Sequence, residues 1–266
     1  MAALAKLTID IYSDVMCPWC IIGYNQLQKG LAMLEGEIDA EVRWLPFELN
    51  PDMPPEGEGQ SEHIARKYGR TPEQAEANRG QLLAIGERAG YSFAYSGAGD
   101  PPPAMIWNTF TAHKLLKWAL IECGAEVQNR LKLALFDAHF QQRRNMSDPD
   151  VLVDVAASVG LDPAGARAAL DDETLGVIVR QEEAQAWDMN ITGVPAMVVQ
   201  GKFLIPGAQE PEVYANALRR VAEKGPEPDD VRLTRQSPLP NGEGLCDSEQ
   251  CHQALGHFPT ILAQSR

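Results

Sequence analysis

Leu7-Thr8-Ile9-Asp10-Ile11-Tyr12 runs within a few residues into Cys17-Pro18-Trp19-Cys20, and the reading of that junction decides the fold. Apolar and polar residues alternate through the first stretch, with β-branched and aromatic types, which is the period of a half-buried strand. After the cysteines the pattern changes, and Ile21 to Leu34 reads as a helix. The two thiols therefore sit where a strand ends and a helix begins. A thiol at a helix N-terminus faces unpaired backbone N–H groups and the positive end of the helix dipole. Both favour the thiolate, which is the form that attacks disulfides. Pro18 falls just inside the expected helix start, where a missing N–H costs nothing.

The chain has 266 residues, enough for one large domain or two modest ones. At 44% hydrophobic and 23% charged it has the balance of a soluble globular protein with a sizeable core. No run approaches the roughly 20 apolar residues needed to cross a bilayer. Met1-Ala2-Ala3-Leu4-Ala5-Lys6 is too short for a signal peptide before the first strand, and it lacks an early basic region, so a cytoplasmic location is expected. The formal net charge of −14 argues against non-specific nucleic-acid binding, which relies on basic patches. Neither nucleic acid nor a membrane is expected as a partner. The five cysteines are Cys17, Cys20, Cys123, Cys246 and Cys251; an odd number in a reducing compartment fits poorly with a structural disulfide framework. Cysteine pairs in that setting are more often catalytic or metal-binding. Cys123, at a helix end in Leu120-Ile121-Glu122-Cys123-Gly124, is expected to be a small apolar filler.

The first 50 residues read β-α-β, with strands over 7–12 and 40–45 around a helix over about 20–34. From 61 to 190 strand patterns vanish. Helical patterns fill 61–68, 72–89, 105–123, 125–142, 149–159, 163–169 and 173–189. Thr71-Pro72-Glu73-Gln74 offers an N-cap, a first-turn proline and a capping-box glutamine. Asp148-Pro149 and Asp162-Pro163 repeat the cap-then-proline pattern, and Gly90, Gly124 and Gly160 mark helix ends. Strands return at 196–200 and 202–205 around Gly201, as in a hairpin, and 211–222 reads as a last amphipathic helix. The expectation is therefore an α/β fold built from 1–60 and 190–224, with an all-helical domain over 61–189 inserted into it. Insertion is cheap when the insertion points lie close together. A Pro-rich polar extension over 225–266 follows.

Thr192-Gly193-Val194-Pro195 precedes the returning strands. A proline at the start of a strand, after Gly-Val, is unusual unless its geometry is needed. A C-x-x-C beside a β-α pattern in a non-secreted protein is a thioredoxin-like signal. With that signal and the split β-α-β / β-β-α order, Val194-Pro195 reads as the cis-proline loop of the thioredoxin fold. Such a loop packs against the thiols and offers backbone groups to an extended peptide. The competing reading is an ordinary loop-to-strand proline.

Four separated motifs now stand in order: Asp14-Val-Met-Cys17-Pro-Trp-Cys20-Ile-Ile-Gly23, Pro46-Phe47-Glu48-Leu49-Asn50-Pro51, Asn108-Thr109-Phe110-Thr111-Ala112-His113 and Thr192-Gly193-Val194-Pro195. Together they resemble the FrnE-like branch of the DsbA family of thiol-disulfide oxidoreductases, over residues 7–222. The resemblance implies a thioredoxin fold with an inserted helical domain, and dithiol/disulfide exchange with protein or small-molecule substrates. No cofactor is implied, and glutathione stands as a further candidate partner. Kappa-class glutathione transferases and 2-hydroxychromene-2-carboxylate isomerases share the architecture, but they typically place a lone serine where Cys17 stands. Two cysteines favour redox exchange.

Cys17, nearer the helix end and expected to be the more exposed, is the candidate nucleophile; Cys20, one turn in, is the candidate resolving thiol. Pro18 and Trp19 lie between them and should tune the redox poise. A histidine there would stabilise the thiolate by its charge, which Pro-Trp cannot do, so a less oxidising pair than a Pro-His motif gives is expected. Asp14 is either a proton acceptor for Cys20 or a turn and cap residue. Glu48 is either a buried partner near the site or a solvated side chain. His113, in register with Ile106, Phe110, Leu116 and Leu120, reads as a satisfied core histidine or a residue lining the cleft. Trp107 and Trp118 read as packing residues.

The second thiol pair, Cys246 and Cys251, is followed by His252 and His257. The pair reads as an auxiliary redox couple for Cys17–Cys20, as a zinc site with the two histidines, or as inert thiols. Two further functions stay open on sequence alone: a glutathione-dependent transferase or isomerase using Cys17, and a non-catalytic metal-binding or chaperone-like protein.

Overall fold

The computed structural model describes residues 4–69 and 71–224. Its centre is β1 (Ala5–Ser13), whose Ile9 and Ile11 are fully buried. β2 (Ile38–Pro46) runs parallel to β1, pairing Val42 with Ile9 and Trp44 with Ile11. On the other side β5 (Ala196–Val199) pairs antiparallel, Met197 opposite Ile11, and β6 (Phe203–Pro206) pairs with β5. The sheet order is β2-β1-β5-β6, so strands from the two ends of the chain meet at β1. The β5–β6 turn places Gln200 and Gly201 at φ of 54° and 67°, the pair of positive values that a tight hairpin turn needs.

α1 (Pro18–Ala32) connects β1 to β2 and packs on α9 (Pro211–Lys224). That contact depends on Gly30: a Cβ there would lie 2.8 Å from the carbonyl oxygen of Pro211.

Between β2 and β5 lie α2 (Gln60–Tyr68), α3 (Pro72–Ala89), α4 (Phe110–Cys123), α5 (Ala125–Phe136), α6 (Pro149–Ser158), α7 (Pro163–Asp171) and α8 (Glu173–Asp188). The caps are local and strong. Thr71 and Gln74 form a reciprocal capping box, and Asp148, Asp162 and Asp172 each accept backbone N–H groups of the helix they precede.

Three expectations need correction. The stretch 105–123 is not one helix: β4 (Met105–Ile106) pairs with β3 (Glu58–Gly59), and the helix begins only after the Asn108 side chain accepts the Phe110 N–H. Asparagine competes with the helix for that donor. The stretch 125–142 gives way at Phe136 to a π-helical turn over Asp137–Gln141. Cys123 is exposed rather than an apolar filler. Its helix buries Ala112, Leu115, Leu116 and Ala119 but overruns the core in its last turn, where Ile121 is also exposed.

Two cores form. The first surrounds the sheet with α1 and α9 and takes Ile85, Ala89, Phe93, Phe136 and Ala186 from the helical block. The second lies within the block and includes Leu115, Leu131, Leu135 and Leu152, together with Val15 and Met16 from the segment just before Cys17. β2 is an edge strand, and the block covers that edge. Gln128 of α5 accepts the Trp44 N–H at 2.9 Å and donates to the Trp44 carbonyl at 2.8 Å, as a neighbouring strand would.

Candidate active site

Cys17 is the N-cap of α1 in an extended conformation, with Pro18 opening the helix. Its own N–H reaches the Asp14 carbonyl, and its carbonyl accepts the Cys20 N–H at 3.1 Å. The Cys17 thiol donates to the carbonyl oxygen of Val194 at 3.6 Å. The Val194–Pro195 peptide bond is cis. The sequence therefore brings Cys17, Pro18, Cys20, Val194 and Pro195 together from opposite ends of the chain. Gly23 permits the approach, since a Cβ there would lie 2.9 Å from Cγ of Pro195.

Both cysteines are buried, Cys17 at 4% exposure and Cys20 at 0%. The expected order of exposure holds, but Cys17 is not an open thiol. Burial pushes the Cys20 thiol up. A hydrogen bond with Cys17, the charge of Lys132, the Ser13 hydroxyl and the Asp14 backbone outweigh it, leaving Cys20 below the ordinary thiol range.

Asp14 is fully buried. Its carboxylate accepts the Met16 N–H at 3.1 Å and the Leu49 N–H at 2.7 Å. Burial raises its pKa against these donors, the charge of Lys132 and a hydrogen bond with Thr109. These bonds make Asp14 a cap of the turn that leads into Cys17. His113 Nε2 lies 4.0 Å from Asp14 Oδ1, too far for a hydrogen bond, and no partner for it is found among the described residues. Burial, with Lys132 and Arg180 nearby, holds His113 well below its ordinary pKa and so neutral.

Glu48 is buried and ion-paired with Arg180. Burial, followed by repulsion from Glu183, raises it to about 7 despite Arg180. The Glu183 carboxylate accepts the Glu48 N–H at 3.1 Å. Trp19 is half-buried against the first core, and Trp107 and Trp118 pack against the second. Cys246, Cys251, His252 and His257 lie outside the described residues. Among the described residues, no group of three or more His, Cys, Asp or Glu side chains is placed to hold a metal ion.

Sequence reasoning missed Lys132, Thr109, Ser13, Arg180 and Glu183. Lys132 left one signal: it falls on the α5 face that also carries Gln128, Leu135 and Phe136, where a charge is out of place.

A split four-stranded sheet, a buried dithiol capping its first helix and a cis-proline opposite define a thioredoxin-type disulfide oxidoreductase. The family model of DSBA-like thioredoxin domains matches residues 8–219. The chain belongs to that family, whose members are disulfide oxidoreductases and isomerases. Bacillus subtilis (strain 168) protein YwbO is 29% identical over 211 residues, covering 79% of this chain and 94% of YwbO. The crystal structure of a probable DsbA oxidoreductase, SCO1869 from Streptomyces coelicolor, is 30% identical with a TM-score of 0.74. The match covers 84% of this chain and 93% of that one. A putative protein disulfide isomerase from Nitrosomonas europaea shares the fold at 15% identity and a TM-score of 0.59, over 83% of this chain and 99% of that one. No helix among the described residues is long and apolar enough to cross a membrane.

Proposed function

We propose that the protein is a cytoplasmic thiol-disulfide oxidoreductase and disulfide isomerase of the FrnE-like branch, working through Cys17-Pro18-Trp19-Cys20. The Cys17 thiolate attacks a substrate disulfide; one substrate sulfur bonds to Cys17 and the other leaves as a thiolate. Cys20 then attacks Cys17, the second substrate thiol departs, and the Cys17–Cys20 disulfide remains with the substrate reduced. The reverse sequence oxidises a substrate dithiol. Isomerisation follows when the mixed disulfide is resolved by another substrate thiol before Cys20 acts. Asp14, whose raised pKa suits it to hold a proton, accepts one as Cys20 becomes a nucleophile.

The observation that most supports this reading is the 3.6 Å contact from Cys17 to the Val194 carbonyl, beside cis-Pro195. An extended substrate joined to Cys17 passes that loop and can pair with its backbone. The test is insulin reduction and scrambled-ribonuclease refolding by the wild type and by Cys17→Ala. Equal rates in both would remove the proposal. Glutathione-dependent turnover that survives Cys20→Ala would favour the transferase or isomerase reading instead. Between Cys17 and Cys20, Pro-Trp supplies no charge, so a potential less oxidising than that of a Pro-His pair is expected. For Cys246 and Cys251 the proposed role is exchange with the active dithiol. Mass spectrometry of Cys20→Ser after mild oxidation should then reveal a Cys17 link to one of them.

A further inference from the structure

We propose that Lys132, carried by the helical block, is the positioning cation of the dithiol: its ammonium group stabilises the thiolate of the reduced Cys17–Cys20 pair and so favours reduction of their disulfide. This inference rests on the dithiol chemistry proposed above.

Lys132 is 0% exposed. Its Nζ has no hydrogen-bond partner among the described residues and sits over two rings, 5.2 Å from the Trp44 centroid and 4.9 Å from that of Phe136. Rings recover only part of the cost of burying an ammonium group. A methionine would fill most of the same space without that cost.

Trp44 and Phe136, the rings beneath Lys132, lie in the same packed core as Cys17 and Cys20. The charges of Cys20, Asp14 and Cys17 act on Lys132, and its charge acts on His113. His113 is neutral. Asp14 already has the Met16 and Leu49 N–H groups and Thr109 as partners. The further negative charge near Lys132 is the one that appears when the dithiol forms. In the disulfide state neither sulfur carries charge, so the ammonium group is least compensated there. In the dithiol state, burial lowers Lys132 to about 8 against the pull of Cys20, Asp14 and Cys17.

A substrate dithiol gives two electrons to the Cys17–Cys20 disulfide and becomes a disulfide itself. Of the two protons released, one stays on one cysteine. The other goes to solvent, because the second cysteine remains a thiolate opposite Lys132.

In Lys132→Met the thiolate absorbance of the reduced protein should titrate at higher pH, with about a tenfold smaller thiolate fraction at neutral pH. The glutathione equilibrium should shift toward the protein disulfide by a similar factor, about tenfold. The oxidised variant should melt no lower than wild type, which a merely structural lysine would not allow. The wild type carries an independent test. Coupling is reciprocal, so the NMR titration midpoint of the Lys132 side chain should lie higher in the reduced protein than in the oxidised one. Equal midpoints in the two redox states, or an unshifted thiolate titration in Lys132→Met, would overturn the inference. A chain that shows both shifts yet turns over neither insulin nor ribonuclease would retain the Lys132 coupling and lose the proposed enzymatic role.

Discussion

At the scale of single residues, the site rests on what is absent from Gly23 and what is buried at Glu48. Alanine in place of a mid-helix glycine ordinarily gains up to about 1 kcal/mol from backbone entropy. At Gly23 the new methyl would lie 2.9 Å from the Pro195 ring and 3.3 Å from the Ala208 side chain, neither of which can rotate aside. Overpacking of that kind costs about 1–3 kcal/mol, so Gly23→Ala should lower the denaturant midpoint and slow insulin reduction by pushing the proline loop from the thiols. Glu48 predicts a pH effect of defined sign. Its folded pKa of about 7 lies above the ordinary 4.5, so the folded chain binds the proton more tightly than the unfolded chain. Stability is then lost as pH rises from the ordinary value through the folded one. Glu48→Gln should flatten the fall in Tm across that window and leave the variant the more stable of the two above it. Of these residues, the cysteines and Pro195 were legible because each stands in a short motif with its own chemistry. The packing of Gly23 on Pro195 was not legible, nor were Lys132 and Arg180, which reach the site from helices remote in sequence.

At the scale of elements, legibility follows the range of the forces. Helix starts with a capping residue and a following proline are written locally, and α3, α6 and α7 begin where Thr71, Asp148 and Asp162 place them. The β3–β4 ribbon has two residues per strand and pairs segments on either side of two helices, so no periodicity announces it. The clamp of α5 on β2 was hidden for the same reason: Gln128 looks like any surface glutamine until Trp44 is beside it. Its amide satisfies both backbone groups of Trp44 and the Leu116 carbonyl, and neighbouring Asn129 accepts the indole N–H at 2.9 Å. Gln128→Leu keeps the volume but leaves buried backbone groups unmet, at roughly 1–3 kcal/mol for each one stranded. Guanidinium unfolding should therefore show a loss of several kcal/mol, larger than a leucine substitution at exposed Arg130 on the same helix. A loss within error of the Arg130 variant would mean that water replaces the clamp.

At the scale of the whole molecule, the helical block and the sheet are not separable parts. The first core contains Ile85, Ala89, Phe93, Phe136 and Ala186 alongside the strands, and the second contains Val15 and Met16 from the loop that leads into Cys17. The dithiol is thus held between the cores: its N-terminal approach is anchored in the block, and its helix is packed on the sheet. Asp14 depends on the same arrangement, taking Leu49 N–H from the strand exit and Thr109 from the block. An inserted domain that merely sat on the surface could be removed at small cost, since closing a shorter loop costs little entropy. Here removal would strip one wall of the first core and uncover the β2 edge, with the unmet backbone groups of Trp44 along it. A chain in which 61–189 is replaced by a short Gly-Ser linker should therefore show no cooperative unfolding transition and no insulin reduction, although it retains Cys17, Cys20 and Pro195. The full chain should give superimposable guanidinium transitions by tryptophan fluorescence and far-ultraviolet dichroism, because the cores share the residues that join them. If the excised chain folds cooperatively and keeps its activity, the sheet holds the dithiol alone and the block serves only substrate choice.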